Sequence, residues 1–244
     1  GCVWGCFDYN QQEPRLVVHF AATTAGIKED PSVKEIVDNY SNNDIDFHKT
    51  VADMAGISRL QAKTINLGLF YGMGKAKLQA ELGLSTKQEA TELFNQYHDR
   101  VPFVRDLMNE TSRWASREGE IRTLLGRGCR FNKWEPAQFG MHTPMTWEDA
   151  MKKYGENRIR RAFTYKALNK LIQGSAADMT KKSMLDLYKE GIIAHIQIHD
   201  ELDISVESDK KAKRIIEIME TAVDLEVPNK VDYESGKTWG NIYD

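Results

Sequence analysis

The sequence is short of the residues and runs that mark special classes of chain. Its 244 residues hold three cysteines, Cys2, Cys6 and Cys129, without the spacing of a four-ligand zinc site or the even number of a disulfide set. They read as small buried residues. No apolar run approaches the roughly 18 residues that span a bilayer, so no membrane partner is expected, and the segment before Asp8 is too short for a secretory signal. Low-complexity tracts and internal repeats are missing as well. Net positive charge is also lacking, since the formal balance is −3, and overall charge therefore does not advertise nucleic-acid binding. What is present, 41% hydrophobic and 28% charged residues, suits a soluble intracellular globular protein of one large or two small domains.

The densest signal lies between Ile192 and Val206. Apolar side chains at Ile196, Ile198, Leu202, Ile204 and Val206 repeat with period two, as in strands with one buried face. His199-Asp200-Glu201 interrupts them with groups that are costly to bury, so the chain is expected to turn there and present them at a hairpin tip. His195 and His199 have the spacing of a helical metal pair, but on one strand they stand about 13 Å apart, which removes a zinc reading. Local positive charge exists despite the net balance: Lys152, Lys153, Arg158, Arg160, Arg161, Lys166 and Lys170 crowd one region.

Along the chain, residues 1 to 22 read as a strand pair, with Val3, Trp4 and Phe7 leading into Asp8 and Leu16-Val17-Val18-His19-Phe20 as the second strand. The chain opens on Gly shortly before a core strand, so it is expected to be the C-terminal piece of something longer. From about 23 to 120 the pattern is helical. One helix runs from Asp46-Phe47-His48 to Ala55, and a second from about Ser58 to Tyr71, closed by Gly72. A third is opened by a capping box at Ser85-Thr86-Lys87-Gln88, and a fourth lies between Pro102 and Gly119. Residues 121 to 131 return to strand character, and 132 to 157, with Pro136, Gly140, Pro144 and Gly155, read as an irregular insertion. A long helix from about Arg160 to Lys189 leads into the hairpin, and a last helix spans about Asp209 to Leu225. Strands with helices packed on one face predict an α+β fold into which a helical lobe is inserted.

Asp8 and Asp200 each end an apolar strand, and each is followed by further acid, Glu13 and Glu201. Carboxylates at the ends of neighbouring strands suit two magnesium ions about 4 Å apart, which share their coordination with substrate phosphates. That chemistry fits nucleases, phosphatases and polymerases equally. Arg59 and Lys63 lie four residues apart on one predicted helix, so both cations project from nearly one face, and Leu67 and Tyr71 continue the row. Such a row fits a ligand with anionic phosphates at one end and a flat base at the other.

Asp8-Tyr9-Asn10-Gln11-Gln12-Glu13, Arg59 to Lys63 through Leu67 to Gly72, and His199-Asp200-Glu201 resemble the three polymerase motifs of family A, the DNA polymerase I type. Asp46-Phe47-His48, Thr123-Leu124-Leu125-Gly126-Arg127 and Asn169 to Asp178 extend the resemblance over nearly the whole chain. It implies an antiparallel palm sheet with packed helices and an inserted helical fingers subdomain: palm over 1–22, fingers over 23–120, and palm again over 121–244 with the insertion at 132–157. The implied activity is template-directed addition of deoxynucleoside triphosphates to a primer 3′ end by two-metal-ion nucleotidyl transfer, with release of pyrophosphate. The implied partners are primer-template DNA and dNTPs, and the implied cofactor is two Mg2+ ions, or Mn2+ in their place.

Residue by residue, the resemblance makes Asp8 and Asp200 the metal-binding carboxylates, with the Tyr9 backbone carbonyl a further ligand. Arg59 and Lys63 become the triphosphate pair, Lys63 also protonating the leaving pyrophosphate, and Gln11 and His48 support the phosphates. Glu13 resembles the steric gate against a ribose 2′-hydroxyl, and Tyr71 the residue beside the templating base. Asn169, Gln173, His199 and Arg127 match DNA contacts, and Glu201 a nearby acid with a lesser role. The sequence departs from the family at Leu67, where an aromatic is usual, at Tyr165, where many members have Arg, and in the short His48 to Arg59 linker, which resembles phage replicative members. Thumb and exonuclease parts have no counterpart here and are expected in a preceding segment or a separate polypeptide. The implied location is the cytoplasm, of the host if the source is viral.

Overall fold

The computed structural model describes residues 2–42, 45–70, 75–138 and 140–241. In chain order, β1 (Val3–Tyr9) precedes α1 (Gln12–Thr23), α2 (Pro31–Asn42), α3 (Phe47–Ala55), α4 (Arg59–Phe70), α5 (Lys75–Glu81), α6 (Lys87–Arg100) and α7 (Pro102–Glu118). Then come β2 (Glu120–Arg122), β3 (Gly128–Arg130), β4 (Trp134–Pro136), α8 (Trp147–Tyr154) and β5 (Ile159–Arg161). The chain closes with α9 (Ala167–Lys189), β6 (Ile196–Ile198), β7 (Glu201–Val206), α10 (Asp209–Glu220) and β8 (Val231–Gly236). Helices and an antiparallel sheet make this the expected α+β class. Two compact units result, one of residues Gly1–Phe47 with Ser175–Asp244, the other His48–Gly174.

The first unit is built on an antiparallel sheet in the order β6-β7-β1-β8. Period-two alternation sends Phe7, Leu202, Ile204 and Val206 to a buried face, where Phe7 stacks on Tyr233 at 4.7 Å. Gly5 lies on that face too: a Cβ there would fall 2.8 Å from Val206 Cγ2 and 2.9 Å from Tyr233 Cε2. Tyr9 anchors the end of β1, its hydroxyl donating to the Met219 carbonyl of α10 and lying 2.6 Å from Ser183 Oγ of α9.

The expected second strand at 16–20 is instead the middle of α1. An unbroken apolar run fits a buried helix as well as a buried strand, and Leu16, Val17 and Val18 are all fully buried. What decides the matter lies outside the run. Gln11 takes a left-handed backbone conformation (φ 54°) that turns the chain out of β1. Buried Arg15 then donates from Nε to the Asn10 carbonyl at 2.8 Å and from Nη1 to the Pro228 carbonyl at 2.6 Å, ties available to a helix starting at Gln12. β8 was not anticipated either, although Val231-Asp232-Tyr233-Glu234 alternates as a strand should.

In the second unit α3, α4, α6 and α7 fall where the sequence places them. The cap of α6 shifts by one residue: Thr86 accepts from the Glu89 amide and Glu89 reaches back to the Ser85 amide. Pro102 opens α7, and Gly119 closes it in the left-handed region (φ 74°). The segment 132–157 is not irregular. β4 pairs with β5 in the register Trp134↔Arg161, and α8 is capped by Thr146. Arg160 and Arg161 are therefore strand residues, and α9 begins at Ala167 instead of Arg160. Arg160 pairs with buried Glu135 at 2.9 Å and Arg161 lies over the Trp134 ring at 4.6 Å, so part of the basic cluster is spent on folding.

Because Tyr9 ties the end of β1 to two helices, Tyr9→Phe should lower stability by about 1 kcal/mol, a drop of a few degrees in Tm, without altering the helical circular dichroism signal. An unchanged Tm would mean that the hydroxyl contributes nothing to holding the strand end.

Candidate active site

Period-two geometry and antiparallel pairing gather the first group of predicted residues at one end of the sheet. β6 and β7 are joined by a two-residue turn, His199-Asp200, in the register Ile198↔Glu201. His199 takes a positive φ of 51°, and its carbonyl accepts from Gln197 Nε2 at 2.7 Å. The Tyr9 amide donates to the Asp200 carbonyl at 3.3 Å, which fixes the turn against the end of β1. Asp8 pairs directly with Glu201 on β7 and with Asp232 on β8. Four acids thus meet where three strands end.

Their electrostatics follow. Loss of water around the carboxyl, followed by repulsion from Asp200, Glu201 and Asp232, pushes Asp8 up to about 7. The Asp200 carboxyl is also raised, chiefly by desolvation. Glu13, in the first turn of α1, is raised by desolvation and then by Asp200. Crowded carboxylates that hold protons against their own repulsion are a donor set suited to divalent cations with oxygen preference. The residues present therefore fit a magnesium-type ion at Asp8 and Asp200.

Gln11 is engaged otherwise than its expected phosphate role suggests. Its Nε2 donates to the Ile45 carbonyl at 2.7 Å, and its Oε1 accepts from the Phe47 amide at 2.7 Å. It organises the chain that leads into α3. Asp232 was missed at the sequence level. Its Oδ2 accepts from Asn10 Nδ2 at 2.8 Å, and the alternation of β8 was the signal that could have revealed it.

The second unit carries the cationic row. On α4, Ala62, Ile65 and Asn66 are buried while Arg59 and Lys63 are exposed and Leu67 is half-buried, so the two cations share an outer face. Tyr71 lies outside the described residues. His48, in the first turn of α3, has Nδ1 3.2 Å from Asn66 Nδ2, and Tyr97 hydrogen-bonds to Asn66 Oδ1. Asn66 and Tyr97 were not singled out in the sequence, yet a buried Asn between Ala62 and Ile65 is a polar break in an apolar face. Asn169 and exposed Gln173 lie one turn apart on α9. Arg127 Nη2 donates to the Gly174 carbonyl at 2.8 Å.

The sequence profile of DNA polymerase family A matches residues 1–241. The chain belongs to DNA polymerase family A. It is 35% identical to a DNA-directed DNA polymerase of Pseudomonas phage M6, over 98% of this chain and 38% of that protein. It is 33% identical to DNA polymerase I of Bacillus caldotenax, over 95% of this chain and 25% of that protein. A solved structure, the POL domain of Pol1 from M. smegmatis in complex with DNA primer-template and dNTP, superposes with a TM-score of 0.74 at 25% identity. It covers 99% of this chain and 41% of that one. This family A chain therefore spans about a quarter to two-fifths of the length of the relatives it matches. No helix among the described residues is long and apolar enough to cross a membrane.

The raised Asp8 carboxyl gives a signed prediction. An acid whose folded pKa lies above its unfolded value of 3.8 opposes folding fully above about 7, and the penalty fades as pH falls from 7 towards 4. In metal-free buffer Asp8→Asn should melt above wild type at pH 8, by an amount that vanishes near pH 4. Because Asp8 keeps part of its surface in water, screening limits the gain to roughly 1 kcal/mol or less. A wild-type advantage at pH 8 would show that the acids do not repel.

Proposed function

We propose that this chain carries the nucleotidyl-transfer centre of template-directed DNA synthesis, adding deoxynucleoside triphosphates to a primer 3′ end with release of pyrophosphate. The observation that carries the reading is the acid pair Asp8 and Asp200, gathered where the Tyr9 amide at the end of β1 donates to the Asp200 carbonyl of the β6–β7 turn, in a chain of family A. In this reading residues 1–22 and 121–244 are palm and residues 23–120 are fingers. Asp8 and Asp200, with the Tyr9 carbonyl, hold two magnesium-type ions. When bound, such ions ease ionisation of the primer hydroxyl and stabilise charge on the leaving oxygens.

The chain's own groups do the rest. Arg59 and Lys63 take the triphosphate, and Lys63 delivers a proton to the departing pyrophosphate. His48, held by Asn66, supports the phosphates, whereas Gln11 acts indirectly by fixing Phe47, the residue before His48. Glu13 blocks a ribose 2′-hydroxyl, Tyr71 lies beside the templating base, Glu201 assists near the acid pair, and Asn169, Gln173, His199 and Arg127 contact primer and template. A thumb-bearing segment, joined or separate, completes the grip on DNA. The family A relatives extend well beyond this chain, which supports that requirement.

Primer extension with a thumb-bearing polypeptide added tests the proposal. Asp8→Asn and Asp200→Asn should each abolish incorporation, and Lys63→Ala should lower turnover on the order of a hundredfold, by analogy with losing one donor to developing charge. Near-normal incorporation by either Asp variant refutes the metal assignment. Unchanged turnover in Lys63→Ala with only weaker nucleotide binding refutes the acid role.

Leu67 lies one helical row beyond Lys63 and lacks both hydroxyl and ring, so dideoxynucleotides should be strongly rejected. Leu67→Tyr should lower the deoxy-to-dideoxy preference by roughly 2- to 10-fold, the value of one added hydrogen bond. If the ratio stays put while ordinary incorporation is intact, Leu67 does not stand beside the sugar.

A further inference from the structure

The sheet face that carries Asp8 holds a second group of donors. Cys6 and Asp203 are directly opposed on β1 and β7, and Glu201 stands two residues before Asp203, on the same face by strand alternation. Cys6 Sγ, a Glu201 carboxylate oxygen and an Asp203 carboxylate oxygen all lie within 4.8 Å of one another. Asp203 is fully buried, at 0% exposure, and neither of its carboxylate oxygens has a hydrogen-bond partner among the described residues. An isolated buried carboxylate costs several kcal/mol on the order-of-magnitude scale, so a cation placed beside it offsets a real penalty.

We propose that Cys6, Glu201 and Asp203 form a second metal site, adjacent to the Asp8 and Asp200 pair and sharing Glu201 with the acids around it, built for a borderline-soft divalent ion of the zinc class. The donor chemistry carries the choice. Magnesium takes hard oxygen ligands in near-ideal octahedra and has no use for sulfur, whereas one thiolate and two carboxylates suit a four-coordinate ion whose last position is filled by water. Bond lengths of about 2.3 Å to sulfur and 2.0–2.2 Å to oxygen place tetrahedral ligand atoms roughly 3.5 Å apart, so the three donors must close slightly. Glu201 is the arm that can move, since it is half-buried with a long side chain, whereas Cys6 and Asp203 are packed into the sheet. The orphaned Asp203 oxygens then gain the partner they lack.

Cobalt(II) reports on this site without any reliance on catalysis. Titrated into the full chain in excess Mg2+, it should bind near one equivalent, with a near-ultraviolet sulfur-to-cobalt charge-transfer band and the visible bands of four-coordinate cobalt, both erased by Zn2+. Cys6→Ser should abolish the charge-transfer band, and Asp203→Asn should weaken cobalt binding at least tenfold. Cys2→Ser and Cys129→Ser should leave the spectrum unchanged. Circular dichroism checks each fold. Absence of the band from the wild-type chain overturns the proposal whatever the variants do, as does a band that survives Cys6→Ser or is lost in Cys129→Ser. Loss of primer extension alone bears on the polymerase reading and leaves the cobalt result standing.

Discussion

The acidic end of the sheet depends on holding like charges together. Asp8, Asp200, Glu201 and Asp232 would disperse in a flexible chain, because carboxylates at close range repel. Here the hydrogen-bond ladders of three antiparallel strands fix them. Lost hydration, and after it this repulsion, push the Asp8 carboxyl up to about 7. A cation relieves the same repulsion, so the folded sheet stores an affinity that the unfolded chain does not have.

Two backbone positions share in that constraint. Gln11 and His199 both adopt left-handed conformations that cost a residue with a Cβ on the order of 1 kcal/mol, and both flank the acid pair. Each is compensated locally. Gln11 spends its side-chain amide on Ile45 and Phe47, and the carbonyl of His199 receives Gln197. Sharp turns at these two points let one strand end and one hairpin tip converge while α1 leaves at once to bury Leu16, Val17 and Val18. In the second unit, buried Asn66 plays a comparable part by linking His48 to Tyr97.

Much of this was legible in the residues. The alternation around His199-Asp200-Glu201 carries its own period and a polar break, so hairpin and tip could be read directly. Helices α3, α4 and α7 are marked by Gly56, by the Arg59 and Lys63 spacing and by Pro102 with Gly119, each a local signal with a local cause. Where signals are not local, reading fails. The run Leu16 to Phe20 has no period to separate strand from helix, and Trp134 to Pro136 is too short to announce that it pairs with Ile159 to Arg161.

By itself the sequence determined the chemistry: which acids end apolar strands, which cations share a helical face, and the order of motifs that marks family A. These are properties of residue type and spacing, and periods of 2 and 3.6 convert them to faces without knowledge of the rest. Only the tertiary structure decided which acids are neighbours. Asp232 joins Asp8 because β8 lies beside β1, and Asp203 meets Cys6 because β7 pairs on its other edge in one particular register. A shift of one residue in either ladder would send those side chains to the opposite face, and register is set by packing between segments some two hundred residues apart in the chain, not by any local spacing.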